Sequence, residues 1–143
     1  MQFEALNRRG GIVNYPVWLN RARAALTAAT EGSDSVGLEV AKLLSDEEVG
    51  SDGLTLAVLW WVDRLIEGSD PATVTAPTPV PDIWPVDMDL SQRWALQMVA
   101  ARINDDPDEG QRLMVEASRD FDYLTECVGT LVMLAGLSLT GRL

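Results

Sequence analysis

Carboxylates are the side chains best able to do chemistry in this sequence, because its 143 residues contain no histidine and one cysteine. The absence of histidine excludes Ser-His-Asp triads, Cys-His nucleophiles, His-based acid–base catalysis and nearly all zinc sites. Cys127 lies in an apolar segment without a cationic neighbour to activate its thiol. It is interpreted as a small buried hydrophobe.

One acidic segment partly matches a calcium-binding EF-hand loop that would begin at Asp105. Gly110 and Glu116 fall at the required sixth and twelfth positions, but Pro107 replaces the third ligand and Arg112 occupies the usual hydrophobic eighth position. The acids of this segment are therefore predicted to cap a helix N-terminus, where the macrodipole favours negative charge. These acids are Asp105, Asp106, Asp108 and Glu109. No metal and no cofactor are predicted.

Other acids lie on apolar helical segments, where paired carboxylates could in principle build a two-metal hydrolytic site. No ExxE motif occurs, and the neighbours of these acids at helical spacing are apolar or basic. Arg64 and Arg119 are predicted to form ion pairs with them. The acids concerned are Asp63, Glu67, Glu116 and Glu126. The protein is therefore predicted not to be an enzyme.

Aromatic and branched apolar residues are the candidates for an interaction surface. Trp60 and Trp61 are adjacent, so on a helix they point about 100° apart. One is expected to face the core and the other a contact between halves or subunits. Ile83 and Trp84, in a proline-rich segment, are predicted to anchor that segment to the domain. The candidate interaction residues are Trp60, Trp61, Ile83 and Trp84.

The elements that position these residues are predicted to be helices, because strand-forming residues are sparse and apolar residues recur at helical spacing. Pro16 is placed in the first turn of the first helix. Gly50 to Gly53 is predicted to be a turn, and Leu90 with Ser91 to cap the fourth helix. The six predicted helices cover about 16–30, 35–44, 54–67, 90–103, 108–118 and 122–138.

Residues 37–66 and 110–136 resemble two copies of one helical hairpin. The sequence DGLTLAV from Asp52 aligns with DYLTECV from Asp122, and the apolar positions continue in register. Five prolines between Gly68 and Asp89 predict an extended connection. The fold is therefore predicted to be all-α, one domain over 1–143, with two pseudo-repeated three-helix halves at 12–67 and 90–143 joined by a Pro-rich strap at 68–89.

The third and sixth helices are predicted to form the centre of the bundle. Four amphipathic neighbours cannot cover two such apolar helices, so a homodimer is expected; alternatively, the strap from Pro77 to Val86 covers the remaining surface. Predicted core residues on the shared face are Leu54, Val58, Trp61, Leu124, Val128, Leu131 and Val132.

Charge and composition restrict the partners and the compartment. A net charge of −11 opposes binding to nucleic acid and to anionic membranes. The single cysteine fits a reducing compartment, and neither a secretory leader nor a convincing membrane span is found. A cytoplasmic protein is expected.

Three functions are consistent with these observations. The first is a non-enzymatic protein-interaction protein, such as an adaptor, accessory or assembly factor that binds a protein partner or itself. The second is an acidic nucleic-acid mimic, an inhibitor of the phage or mobile-element counter-defence type. The third is an apolar-ligand-binding protein or enzyme with a pocket between the halves.

Overall fold

A computed structural model describes residues 15–69 and 87–142, and within these ranges every regular element is an α-helix. The prediction of an all-α fold with six helices is confirmed. The helices are α1 (Val17–Thr30), α2 (Val36–Ser45), α3 (Gly50–Gly68), α4 (Leu90–Ile103), α5 (Pro107–Ser118) and α6 (Phe121–Leu139). The predicted strap falls mostly on residues 70–86, outside the described ranges.

The start of α3 and the cap of α4 differ from the sequence prediction. The predicted turn at Gly50–Gly53 is wrong, because these residues form the first turn of α3. Gly53 is buried, and a Cβ placed on it would lie 3.2 Å from the Cβ of Trp18 in α1. Tertiary packing against α1 thus offsets the low helix propensity of glycine. The cap of α4 is Asp89, one residue before the predicted pair, with Gln92 completing a capping box.

The long helices α3 and α6, each of 19 residues, form the central pair. They run in the same direction, because Leu54 and Leu124 line one shallow pocket near their starts and Gly68 lies against Ser138 near their ends. In both pairs the partners are 70 positions apart in the sequence. The hydroxyl of Ser138 donates to the carbonyl of Leu65 at 2.7 Å, which satisfies this buried polar side chain.

The predicted core is confirmed at six of its seven positions, and Leu54 is partly buried against that core. The fully buried residues of the central pair come from both helices, as expected for two apolar helices packed along their length. They are Ala57, Val58, Trp61 and Val62 of α3, and Cys127, Val128, Leu131, Val132 and Ala135 of α6.

The remaining helices surround the central pair unevenly. Helix α6 contacts all five other helices, whereas α3 packs against α6, α1 and, less extensively, α2 and α4. Small residues let α1 approach α6 closely, since a Cβ placed on Gly136 would lie 2.8 Å from the Cβ of Ala29. Helix α5 packs on α4 and α6 but stands apart from α3.

Two tryptophans connect helices through their indole nitrogens. The Nε1–H of Trp61 donates to the carbonyl of Ala22 in α1 at 3.0 Å. The Nε1–H of Trp94 in α4 donates to the carbonyl of Leu113 in α5 at 2.9 Å. Both side chains are buried, so each indole fills the core and leaves no unsatisfied donor.

By length and composition, α6 is the one helix in the described ranges that could cross a membrane. The central helix of a globular bundle meets the same criteria, and α6 occupies that position here.

Candidate functional site

The separation between α5 and α3 leaves an open groove with a volume of about 970 Å³. It is bounded by the first half of α3, the end of α4 and the whole length of α5, and we call it the α3–α5 groove. Its apolar lining is formed by Leu54, Leu56, Val58, Leu59, Met98, Ala101, Met114 and Val115.

One face of α5 forms an entire wall of the groove. Gly110, Gln111, Met114, Val115 and Ser118 all line it, which is the spacing of three and four that places residues on one side of a helix. Helix α5 has 12 residues, so this wall is about 18 Å long.

Large apolar side chains remain exposed on both walls. Leu56 of α3 is 46% exposed and Val115 of α5 is 51% exposed. Between them lie the flexible side chains of Met98, which is buried, and Met114, which is nearly so. Methionine adapts readily to the shape of a ligand, so this lining can accommodate varied apolar groups.

The two ends of the groove differ in charge. Asp105 and Asp106 lie at the turn between α4 and α5, beside Arg102. The Arg102 guanidinium donates to both carboxylate oxygens of Asp63, at 2.9 and 3.1 Å, so its charge is already paired. The hydrogen bond to Asp63 raises the pKa of Arg102. This end of the groove therefore carries two carboxylates and no unpaired cation among its lining residues.

The opposite end has no excess of either charge. Helix α5 ends at Ser118, and α6 begins at Phe121 next to Gly50 and Ser51 of α3. The end of α5 therefore lies beside the start of α3, where the lining residues include one carboxylate and one guanidinium. They are Asp52 and Arg119.

The segment that partly matches a calcium loop is a turn followed by helix α5. Asp106 is the N-cap of α5, and its carboxylate accepts from the backbone N–H of Glu109 at 3.2 Å, so the capping interpretation is confirmed. Arg112 forms an ion pair with Glu109 at 2.6 Å. Asp105 has a positive φ of 52°, a conformation that aspartate and asparagine tolerate better than most residues.

Three of the four acids named in the sequence analysis lie within ion-pair distance of an arginine. Glu67 pairs with Arg64, as predicted, whereas Asp63 binds Arg102 across the α3–α4 contact. Glu116 lies 4.0 Å from Arg112. In residues 15–69 and 87–142 no three histidine, cysteine or acidic side chains converge as metal ligands would.

The candidate interaction residues have different environments. Trp61 is fully buried and is therefore a core residue, inaccessible to a partner. Trp60 is partly buried, and the guanidinium of Arg64 lies 5.3 Å from its ring centre, a cation–π contact. Ile83 and Trp84 lie outside the described residues. Trp60 therefore remains as a surface candidate, on the same helix as the groove wall.

Cys127 is buried in α6 beside Tyr123, which confirms the interpretation of this cysteine as a core residue. Burial raises the pKa of the Cys127 thiol to about 11. Burial and the hydrogen bond to Cys127 raise the pKa of the Tyr123 hydroxyl to about 12. Both groups are therefore protonated at neutral pH, and the thiol is a poor nucleophile.

The sequence analysis missed the groove and its two exposed apolar residues, Leu56 and Val115. Val115 has polar residues at every position three or four away, which places it on the polar face of α5, but this spacing does not show that the face borders a groove. Comparison of the chain with known protein families, with characterised proteins and with solved structures finds no significant match.

Proposed function

We propose that the protein is a non-enzymatic protein-interaction module, an adaptor, accessory or assembly factor that binds its partner through the α3–α5 groove. The observation that carries this proposal is the exposure of Leu56 and Val115 on facing walls of one apolar groove. Contiguous apolar surface of this kind typically marks an interaction site.

The charge of the chain supports a protein partner. A net charge of −11 repels nucleic acid and anionic membrane surfaces, and it attracts a protein that has a basic patch. The single cysteine, which is buried and free, supports the expected cytoplasmic location.

We also propose that α1–α3 and α4–α6 are two copies of one three-helix unit. The helix lengths support this, at 14, 10 and 19 residues in the first half and 14, 12 and 19 in the second. Residues 70 positions apart also meet across the central pair, as pseudo-two-fold symmetry requires. Superposition of α2–α3 on α5–α6 tests the repeat, and helix pairs that cross with opposite hands would reject it.

Photo-crosslinking from the groove tests the proposed interaction. A crosslinking amino acid is placed at position 56, or as a control at position 38, where Leu38 is 59% exposed on α2. In extracts of the source cells, position 56 should capture one protein that position 38 does not. Excess unlabelled wild-type chain should compete for it, but the Val115→Asp variant should not. Identical captures at both positions would reject the groove as the binding surface.

Self-association through the same surface is tested by light scattering on the purified chain. A dimer that becomes a monomer in the Leu56→Asp variant would identify a second copy as the partner. A wild-type monomer at high micromolar concentration would exclude self-association and leave a different protein as the partner.

A second candidate function is the binding of a small apolar ligand. The groove volume of about 970 Å³ is within the range of ligand sites, and the groove lies between the two proposed halves. Titration with a long-chain fatty acid, followed by calorimetry, tests this candidate. Saturable binding that is lost in Leu56→Asp but retained in Leu38→Asp would support it, and unsaturable or equal binding would reject it.

A further inference from the structure

We propose that the occupant of the α3–α5 groove is an amphipathic α-helix of a partner protein, with lysine or arginine in its last turn facing Asp105 and Asp106. This inference rests on the proposed interaction function, and it specifies the shape, charge and direction of the partner segment.

The shape of the groove favours a helix. Two long walls, α3 and α5, flank an apolar floor, and this arrangement receives the apolar face of a helix through residues spaced three and four apart. The α5 wall is about 18 Å long, which matches a ligand helix of about three turns. Leu56 and Val115, roughly half-exposed on facing walls, would be covered by such a helix.

The charge of the groove favours a basic residue at one end. Asp105 is exposed, and Asp106 uses one carboxylate oxygen to cap α5 while its side chain still borders the groove. The adjacent Arg102 donates to Asp63, and its charge also interacts with Asp105, so Arg102 offsets part of the negative charge at this end. A cation from the partner would complete this end by pairing with Asp105 and Asp106, which are both exposed.

The position of the acidic end also sets the direction of the bound helix. Cations are favoured in the last turn of a helix because they interact with its negative C-terminal dipole. A ligand whose last turn lies at Asp105 therefore runs opposite to α5, which begins at this end. Its first turn then lies near Asp52 and Arg119, where neither charge is in excess, so the acidic end alone sets the direction.

Two synthetic helical peptides test this proposal by fluorescence polarisation with the full chain. Both have 15 residues with leucines at relative positions 1, 4, 5, 8 and 12; one carries two lysines in the last turn, and its twin carries two glutamates there. The lysine peptide should bind at least about tenfold more tightly, a free-energy difference of about 1.4 kcal/mol. Raising the salt concentration should reduce this ratio.

Matched protein variants locate the binding. Leu56→Asp and Val115→Asp should weaken binding of the lysine peptide at least tenfold, while Leu38→Asp, outside the groove, should not. Asp105→Asn keeps a side chain that tolerates positive φ and should reduce the preference for lysine over glutamate about threefold or more. Asp108→Asn, in the first turn of α5 but not in the groove lining, is its control. Circular dichroism checks that each variant is folded.

The outcomes separate this inference from the proposed function. Equal affinity for the two peptides, no binding of either at high micromolar concentration, or binding unaffected by Leu56→Asp and Val115→Asp would overturn the inference. If photo-crosslinking from position 56 nevertheless captures a specific partner, the proposed interaction function is retained and only the helical, basic character of the bound segment is rejected. A dimer disrupted by Leu56→Asp would assign the groove to a second copy and would also overturn the inference.

Discussion

The two sides of the central helix pair are packed differently. On the α6 side, α1 and α2 close against the helix, and Gly136 brings the backbone of α1 within van der Waals contact. On the α3 side, α4 makes a smaller contact and α5 stands away.

Glycine at position 136 permits helix contact at backbone distance, whereas α5 stands away from α3. The closed side therefore contributes stability, and the open side leaves apolar surface available for binding. Four predictions, from the largest expected effect to the smallest, test this division.

An aspartate in the core between α3 and α6 should unfold the protein, whichever of the two helices carries it. Val58→Asp in α3 and Val128→Asp in α6 each bury an unpaired carboxylate at a fully buried site. The expected loss is about 4 kcal/mol or more, comparable to the stability of a small domain. Thermal denaturation followed by circular dichroism measures it. If Val58→Asp stays folded while Val128→Asp unfolds, the position of Val58 is accessible to solvent from the groove.

The close contact between α1 and α6 should make stability sensitive to the addition of a single methyl group. A Cβ at Gly136 would lie 2.9 Å from the carbonyl carbon of Ala29, so Gly136→Ala should cost about 1–3 kcal/mol through overpacking. The control is Gly129→Ala in the same helix, where nothing lies within 4 Å of the added Cβ. That substitution should stabilise by roughly 0.5–1 kcal/mol. Urea denaturation compares them, and equal effects would refute the tight contact.

The ion pair on the closed side should make stability depend on pH in acid. The backbone N–H of Glu48 and then the Arg21 guanidinium lower the pKa of Asp46. A lowered folded pKa adds stability above the ordinary aspartate value of about 3.9, and this stability is lost as the pH falls through the folded value. Asp46→Asn should therefore be less stable than wild type at pH 7 but equal to it in strong acid.

Urea midpoints of the wild type and Asp46→Asn across this range test the pH prediction. Arg21→Gln should reduce the pH dependence only partly, because the backbone N–H of Glu48 still donates to Asp46 at 2.9 Å. A constant difference between wild type and Asp46→Asn at every pH would show that the charge of Asp46 is not involved.

Substitutions on the open side should have the smallest effect on folding. Leu56→Asp and Val115→Asp replace roughly half-exposed side chains, so each should change the free energy of unfolding by less than about 1 kcal/mol. The effect should match that of Leu38→Asp on α2. Differential scanning calorimetry measures all three variants. A loss several times larger at Leu56 or Val115 would mean that the groove is part of the stabilising core.

The sequence predicted the parts of the fold that depend on local periodicity. The number of helices, their order and the buried face of the central pair follow from apolar spacing alone. The start of α3 was misjudged because Gly53 is stabilised in its helix by Trp18, a contact between distant parts of the chain. A local glycine-rich pattern carries no information about such a contact.

The groove could not be predicted, because the distance between α3 and α5 is not a local property of either helix. Leu56 lies on a helix that is apolar on nearly every side and Val115 lies on the polar face of α5, and neither helix by itself shows that the two side chains border one groove.

The two buried indole hydrogen bonds report separately on the opening of two helix pairs. The Nε1–H of Trp61 is held between α3 and α1, and that of Trp94 between α4 and α5. Each proton exchanges with deuterium only when its own helix pair separates. Two indole resonances in one NMR spectrum would therefore report independently how often each helix pair separates. They would also show whether occupancy of the groove slows exchange of the Trp94 proton without changing exchange of the Trp61 proton.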